Sequence, residues 1–211
     1  MSLAVKEYAK ARKPGDFTQF GESDVIQGLV PSLGVYLDIG SGRPVSGSNT
    51  FGLYKLGWRG ILADPLRANI VSSKLVRKRD IAIQCIVGSE ATSTFFEMHP
   101  YEYSTLSVEI VDSLISEKKA IMLQAYNVKG LLASTLYNML PSHSFSFVNI
   151  DAEGFDFEVL LSLDLKQNKP NLICIEEWSH SSHQKSRIRD LLELHEYRFV
   201  ARTGVSNFYS R

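Results

Sequence analysis

Apolar runs of strand length recur along this chain, and most lead into a segment of helical periodicity; that alternation constrains the fold more than any other feature. Gly34 to Gly40 (GVYLDIG) is the first run, followed by a polar loop and a helix pattern through Phe51, Leu53, Tyr54 and Leu56. Gly60 to Asp64 (GILAD) is closed by Pro65 and leads into a basic helix from Arg67 to Lys78. Ile81 to Val87 reads as a third strand, Thr92 to Met98 as a half-exposed alternating strand, and Leu132 to Leu140 as a helix. Phe145 to Ile150, Leu172 to Ile175 and Tyr197 to Ala201 are later strands, with helices near Phe157 to Leu163 and Gln184 to Leu194 between them. Parallel neighbours need a crossover, and right-handed crossovers lay helices over the sheet, so the pattern predicts an α/β fold with a mostly parallel sheet covered on both faces. No repeat, low-complexity tract or linker splits the 211 residues, so one domain is expected over 1–211, with a helical N-terminal extension of about 30 residues. Lys13, Pro14 and Gly15 mark the end of its leading helix.

Charge narrows the partners. The 23 basic residues balance 23 acidic ones, leaving no global field to draw the chain onto nucleic acid or anionic membrane, whereas small ligands stay open. MSLAVKEYAKARK carries too many charges for a signal peptide or a spanning helix, which makes the cytoplasm the expected compartment. Cys85 and Cys174 sit inside apolar runs and read as buried thiols. The basic run Lys74, Arg77, Lys78 and Arg79 reads as solvated surface.

Ligands of such sheets bind beyond the carboxyl ends of the strands. Gly40 and Gly42 there permit close backbone approach, while Ser48, Asn49 or Thr50 can cap a helix and leave amide donors facing a bound group. Asp64 ends the second strand, where nucleotide-binding folds place an acid against ribose hydroxyls. A dinucleotide fingerprint would put a third glycine where Val45 stands, so a nucleoside without phosphates suits the loop better than an NAD-type cofactor. An oxidoreductase and a noncatalytic binding module on the same fold are the alternatives.

Several segments then match a known family in order. Phe17 to Ile26 (FTQFGESDVI), Tyr36 to Pro44 (YLDIGSGRP), Ser48 to Pro65 (SNTFGLYKLGWRGILADP), Phe147 to Leu160 (FVNIDAEGFDFEVL) and Leu172 to Glu176 (LICIE) resemble the conserved stretches of FkbM-type methyltransferases. The resemblance implies a Rossmann-like three-layer sandwich of the class I methyltransferase kind. It also implies S-adenosylmethionine as cofactor and a small-molecule or glycan acceptor, most simply methylated on oxygen. Asp38, Gly40, Ser41 and Gly42 would line the methionine part, Asp64 would hold the ribose, and Val87 with Gly88 would lie beside the adenine.

Acidic residues crowd the next strand ends. Asp151 and Glu153 share a face if the strand persists, with Gly154 turning the chain into a helix whose first turn holds Asp156 and Glu158. Because positive charge disappears from sulfur during methyl transfer, carboxylates serve better at the acceptor, where a hydroxyl must lose its proton, than beside the sulfonium. Asp151, Glu153 and His180 are therefore the candidate catalytic residues, His180 lying in a run Glu176, Glu177, Trp178, Ser179, His180. The spacing matches no compact metal motif, so no metal is expected. Tyr101, Tyr103, Ser104 and Thr105 form a segment able to fold over the site with faces suited to a sugar-like acceptor.

Overall fold

The computed structural model describes residues 2–140, 145–177 and 182–211, with side chains in the last stretch from residue 187 onward. Helices α1 (Leu3–Ala11) and α2 (Glu22–Leu29) precede β1 (Val35–Ile39), α3 (Phe51–Lys55), β2 (Arg59–Asp64), α4 (Arg67–Val76) and β3 (Ile81–Gln84). Next come β4 (Ile86–Val87), β5 (Ser93–His99), a 3-10 turn at Tyr101–Tyr103, α5 (Val108–Ser116), β6 (Ile121–Val128), β7 (Gly130–Leu131) and α6 (Ala133–Tyr137). Last are β8 (Phe147–Ile150), α7 (Asp156–Ser162), β9 (Leu172–Glu176), α8 (Ser182–Leu194), β10 (Arg198–Thr203) and β11 (Ser206–Ser210).

Seven strands form the main sheet in the order β10-β11-β9-β8-β1-β2-β3. The run from β9 to β3 is parallel, and β11 lies antiparallel between β9 and β10. Chain order runs outward from β1 to β2 and β3 on one side and resumes at β8 on the other, so the crevice for a ligand opens at the carboxyl ends of β1 and β8.

Period-two alternation sorts the strand residues between two cores. Leu37, Ile39, Ile61, Val148, Ile150, Ile173 and Ile175 face a layer built from α6, α7 and α8. Tyr36, Leu62, Phe147, Leu172 and Cys174 face α2, α3, α4 and Trp58, and α1 packs outside α4. Asp38 shares parity with Tyr36, Asp64 with Leu62, and Asn149 with Phe147, so the polar strand ends all emerge on the α2–α4 side.

Sterics explain the GWRG stretch. Trp58 is buried and lies parallel to the Tyr36 ring with centroids 6.5 Å apart. Gly60 is paired with Tyr36 in register, and a Cβ there would come within 2.1 Å of the Tyr36 ring and 2.2 Å of its carbonyl oxygen.

The structure departs from the sequence reading in three stretches. The expected strand 81–87 breaks at Cys85, and its second half pairs with β7 away from the main sheet. The half-exposed strand before Pro100 pairs with β6, and neither β6 nor α5 was expected. Ile121, Met122 and Leu123 of β6 are exposed, so this apolar run neither alternates nor packs like a core strand. A further strand, β11, slips between β9 and β10. Among the described residues no helix is long and apolar enough to cross a membrane.

Gly60→Ala is expected to destabilise by about 1–3 kcal/mol through overpacking against Tyr36. Gly28→Ala, inside α2 with nothing within 4 Å of the added methyl, should instead stabilise by about 0.5–1 kcal/mol. Urea melts of the two variants beside wild type check both signs.

Candidate functional site

Beneath the loop that follows β1 lies a buried cation. Arg77, at the end of α4, is 1% exposed. Its Nε donates to Asp80 Oδ2 at 2.7 Å, Nη2 to the Tyr36 hydroxyl at 2.7 Å and to Thr50 Oγ1 at 3.0 Å, and Nη1 to Ser48 Oγ at 3.2 Å. Asp80 also accepts from the Tyr36 hydroxyl and from Gly60 N, so the ion pair is fully enclosed by donors. The expectation that this basic run is solvated holds for Lys74, Lys78 and Arg79, which are exposed, and is corrected for Arg77. A helix ending beside the sheet carries its last residue inward, and Arg77 finds a carboxylate three positions later. Arg79, on the surface, donates to the Tyr54 carbonyl and stacks over its ring.

Asp38 belongs to the same network. Its oxygens accept from Thr50 Oγ1 and, at 2.9 Å, from Asn149 Nδ2, while Asn149 Oδ1 accepts from Asn49 Nδ2 at 3.0 Å. Burial raises the Asp38 carboxyl above the ordinary range, with Arg77 opposing the shift. Ser48 Oγ accepts from Phe51 N at 3.1 Å and so caps the first turn of α3.

Above this network a cavity of about 500 Å³ opens at the tips of β1, β2, β8 and β9. Asp38, Gly40, Ser41, Gly42, Ser48, Asn49, Asp64, Val87, Asp151 and Glu153 all line it, as do Tyr101, Tyr103, Ser104 and Thr105. Thr50 and Gly88 lie outside its wall. The Thr50 hydroxyl is spent on Asp38 and Arg77. Gly88 donates its amide to Leu131 O at 3.0 Å, and a Cβ there would meet the Val159 backbone at 3.1 Å, so this glycine serves packing against α7. His180 lies outside the described residues.

Gly40 shows how tightly the tips close. It adopts φ +69°, and a Cβ would fall 1.6 Å from the Asp151 carbonyl oxygen. Asp64 is held by Leu66 N at 2.7 Å, Gly42 N at 2.8 Å and Asn69 Nδ2 at 3.2 Å. Burial pushes its carboxyl up to about 7 against those hydrogen bonds.

The acidic edge is built by β8 and β9. Burial, reinforced by Glu176, raises Asp151 well above the carboxylate range and brings Glu153 up to about 7. Glu153 sits at φ +48°, an unusual backbone setting for a residue with a Cβ. Asp156 turns back to accept from Ala152 N and Gly154 N and so fixes this turn, while burial raises it to about 6. Glu176 and Glu177 diverge, Glu176 lining the cavity and Glu177 accepting from the Tyr209 hydroxyl at 3.0 Å. One carboxylate oxygen from each of Asp151, Glu153 and Glu176 lies within 4.8 Å of the others, a grouping compatible with one divalent cation.

The methyltransferase FkbM domain matches residues 38–199. The chain belongs to the FkbM methyltransferase family. Its cofactor is accordingly S-adenosylmethionine. Among solved structures, the FkbM domain is similar to a TehB-like S-adenosylmethionine-dependent methyltransferase from Corynebacterium glutamicum at TM-score 0.51 and 11% identity, over 98% of this chain and 94% of that one. That likeness shows the Rossmann-like class I methyltransferase fold. A 1,6-didemethyltoxoflavin-N1-methyltransferase from Burkholderia thailandensis, solved with S-adenosylhomocysteine, aligns at TM-score 0.44 and 11% identity over 100% of this chain and 78% of that one. No curated protein sequence matches the chain.

The residues present fit this cofactor. Among the described residues, the buried polar atoms without a hydrogen-bond partner include Ser41 Oγ, Asp151 Oδ1 and Glu176 Oε2, all from cavity-lining residues. Gly42, at φ +59°, leaves open space where a side chain would otherwise project. Residues missed in the sequence are those acting from beneath or beside the loop, Arg77, Asn149 and Glu7; of these only Asn149, two positions before Asp151 on the same strand face, gave a signal in the pattern.

Removing Arg77 would strand buried carboxylates, so Arg77→Ala is expected to cost about 3–5 kcal/mol in denaturant melts. Arg77→Lys should recover only part, because an ammonium cannot reproduce the planar five-donor fork. A second expectation concerns pH. Asp64, Asp151, Glu153 and Asp156 are all raised in the fold, so they bind protons more readily folded than unfolded; the stability this gives is complete below pH about 4 and, for Asp64, Glu153 and Asp156, is lost as pH rises through about 6 to 7. The thermal midpoint of ligand-free protein should fall between about pH 5 and about pH 8, and Asp151→Asn should flatten that slope.

Proposed function

We propose that this FkbM domain methylates a hydroxyl oxygen of a small molecule or glycan, with the cofactor lying across the tips of β1, β2 and β8. The supporting observation is the pairing, in one cavity, of a rigidly held buried acid at the tip of β2 with carboxylates of raised proton affinity at the tips of β8 and β9. When bound, S-adenosylmethionine supplies an electrophilic methyl group on a sulfonium sulfur. The chain's own residues do the rest by positioning and proton transfer.

Asp64 accepts from a ribose hydroxyl. A carboxylate has about four acceptor directions, and three are already used, which aims the one that remains. Ser41 and Gly42 take the amino-acid tail against bare backbone and one free hydroxyl. Asp38 works through its neighbours, fixing Asn149 and hence the Asn49 amide on the cavity wall. Val87 offers an apolar surface to the base. At the acceptor side, Asp151 and Glu153 orient the hydroxyl and Glu153 takes its proton; a carboxylate at its usual value of about 4 is a weak base, and Glu153, raised toward 7, is better matched to the task. Tyr101, Tyr103, Ser104 and Thr105 give the acceptor an aromatic and hydroxylated wall suited to a sugar-like molecule.

Calorimetry with S-adenosylhomocysteine tests the cofactor half. Wild type is expected to bind, and Asp64→Ala to lose about 1–3 kcal/mol from hydrogen bonds left unmade; unchanged affinity would remove Asp64 from this role. For the acceptor half, Asp151→Asn should spare cofactor affinity while depressing turnover, and an equal fall in both would assign Asp151 to the cofactor instead.

A further inference from the structure

Gly42, Arg43, Ser46, Gly47 and Ser48 line the cavity, yet no strand or helix dictates the path of residues 42–48, and Gly42 and Gly47 sit at φ +59° and +72°. Such a loop keeps one shape only if its polar backbone groups are claimed. From beneath, Arg77 takes Pro44 O and the Ser48 hydroxyl. From the outside the claimant is α1, which lies entirely before the segment that matches the FkbM family.

Glu7, near the middle of α1, is 1% exposed although it carries a carboxylate. Its Oε2 accepts from Ser46 N at 2.8 Å and Val45 N at 3.2 Å, and its Oε1 accepts from Ser46 Oγ at 2.9 Å. Lys10, one turn on, reaches Ser46 Oγ at 2.5 Å and stands 3.7 Å from Glu7 Oε1. Burying a carboxylate is costly unless donors surround it, and here two successive amides and a hydroxyl do so. Those amides belong to the loop that follows β1, and they point to Glu7. On the far side of the same loop the Arg43 guanidinium stacks over the Tyr101 ring at 4.3 Å, tying the cofactor wall to the acceptor wall.

We propose that Glu7 is a positioning residue for cofactor binding, its carboxylate holding the 43–47 loop in the shape that the nucleoside site requires, so that α1 sets cofactor affinity from outside the family-matched segment. The proposal rests on the reading of the cavity as the cofactor site. It does not require Glu7 to touch the cofactor.

Calorimetry with S-adenosylhomocysteine on wild type, Glu7→Ala and Glu7→Gln, read beside amide hydrogen exchange at Val45 and Ser46, tests it. Glu7→Ala is expected to weaken binding about tenfold or more and to speed exchange at those two amides. Glu7→Gln should recover part of both, since its carbonyl still accepts. If Glu7→Ala does not fold, Ser46→Ala removes the hydroxyl that links Glu7 and Lys10 and should weaken binding about threefold with the fold intact. Equal affinity in the folded variants, or lost affinity with Val45 and Ser46 still protected, overturns the positioning role. Absence of binding by wild type would overturn the cofactor reading; rapid exchange at these amides in wild type would overturn the anchoring by Glu7.

Discussion

One guanidinium, that of Arg77, holds the site together. It sits in the core with Asp80 as its ion-pair partner and draws Tyr36 of β1, Ser48 and Thr50 of the loop, and Pro44 O onto a single centre. A buried unpaired charge is among the most expensive things a fold can contain, so each of these groups is constrained by the others. Through Thr50 the constraint passes to Asp38, through Asp38 to Asn149, and through Asn149 to Asn49 on the cavity wall. The loop that has no secondary structure of its own is thereby shaped by a network rooted in α4, β1 and β8.

Two kinds of acid follow from this arrangement. Asp38 and Asp64 are committed to protein donors and act as fixed geometry. Asp151 and Glu176 each carry a buried oxygen without a donor, and burial, reinforced by crowding among Asp151, Glu153 and Glu176, raises proton affinity at the β8 tip. In the function proposed above, holding falls to one side of the cavity and proton transfer to the other. The close approach of Gly40 to the Asp151 carbonyl keeps the two sides in fixed register.

Local patterns in the sequence reveal the frame of this site but not its underside. Period-two alternation and strand-to-helix order expose β1, β2, β8 and β9, and with them Asp38, Gly40, Asp64 and Asp151, because these residues sit where a strand pattern visibly stops. Arg77 has no such signature: it lies in a basic run indistinguishable from solvated surface until α4 is docked and its last residue turns inward. Glu7 meets Val45 and Ser46 only through tertiary contact across 38 and 39 residues. Thr50 and Gly88 carry the right residue types, yet the first is captured from below and the second is pressed against α7, and neither fate shows in a linear pattern. β6 escaped because its leading apolar residues, Ile121, Met122 and Leu123, face solvent, the reverse of what periodicity assumes.

A crystal structure of the full chain with S-adenosylhomocysteine is the most direct measurement. The account predicts density across the tips of β1, β2 and β8, with ribose oxygens in hydrogen-bond reach of Asp64, the amino-acid tail along Ser41 and Gly42, and the sulfur turned toward Asp151 and Glu153. Nucleoside density in any other part of the molecule, with this cavity filled by rearranged side chains, would contradict it.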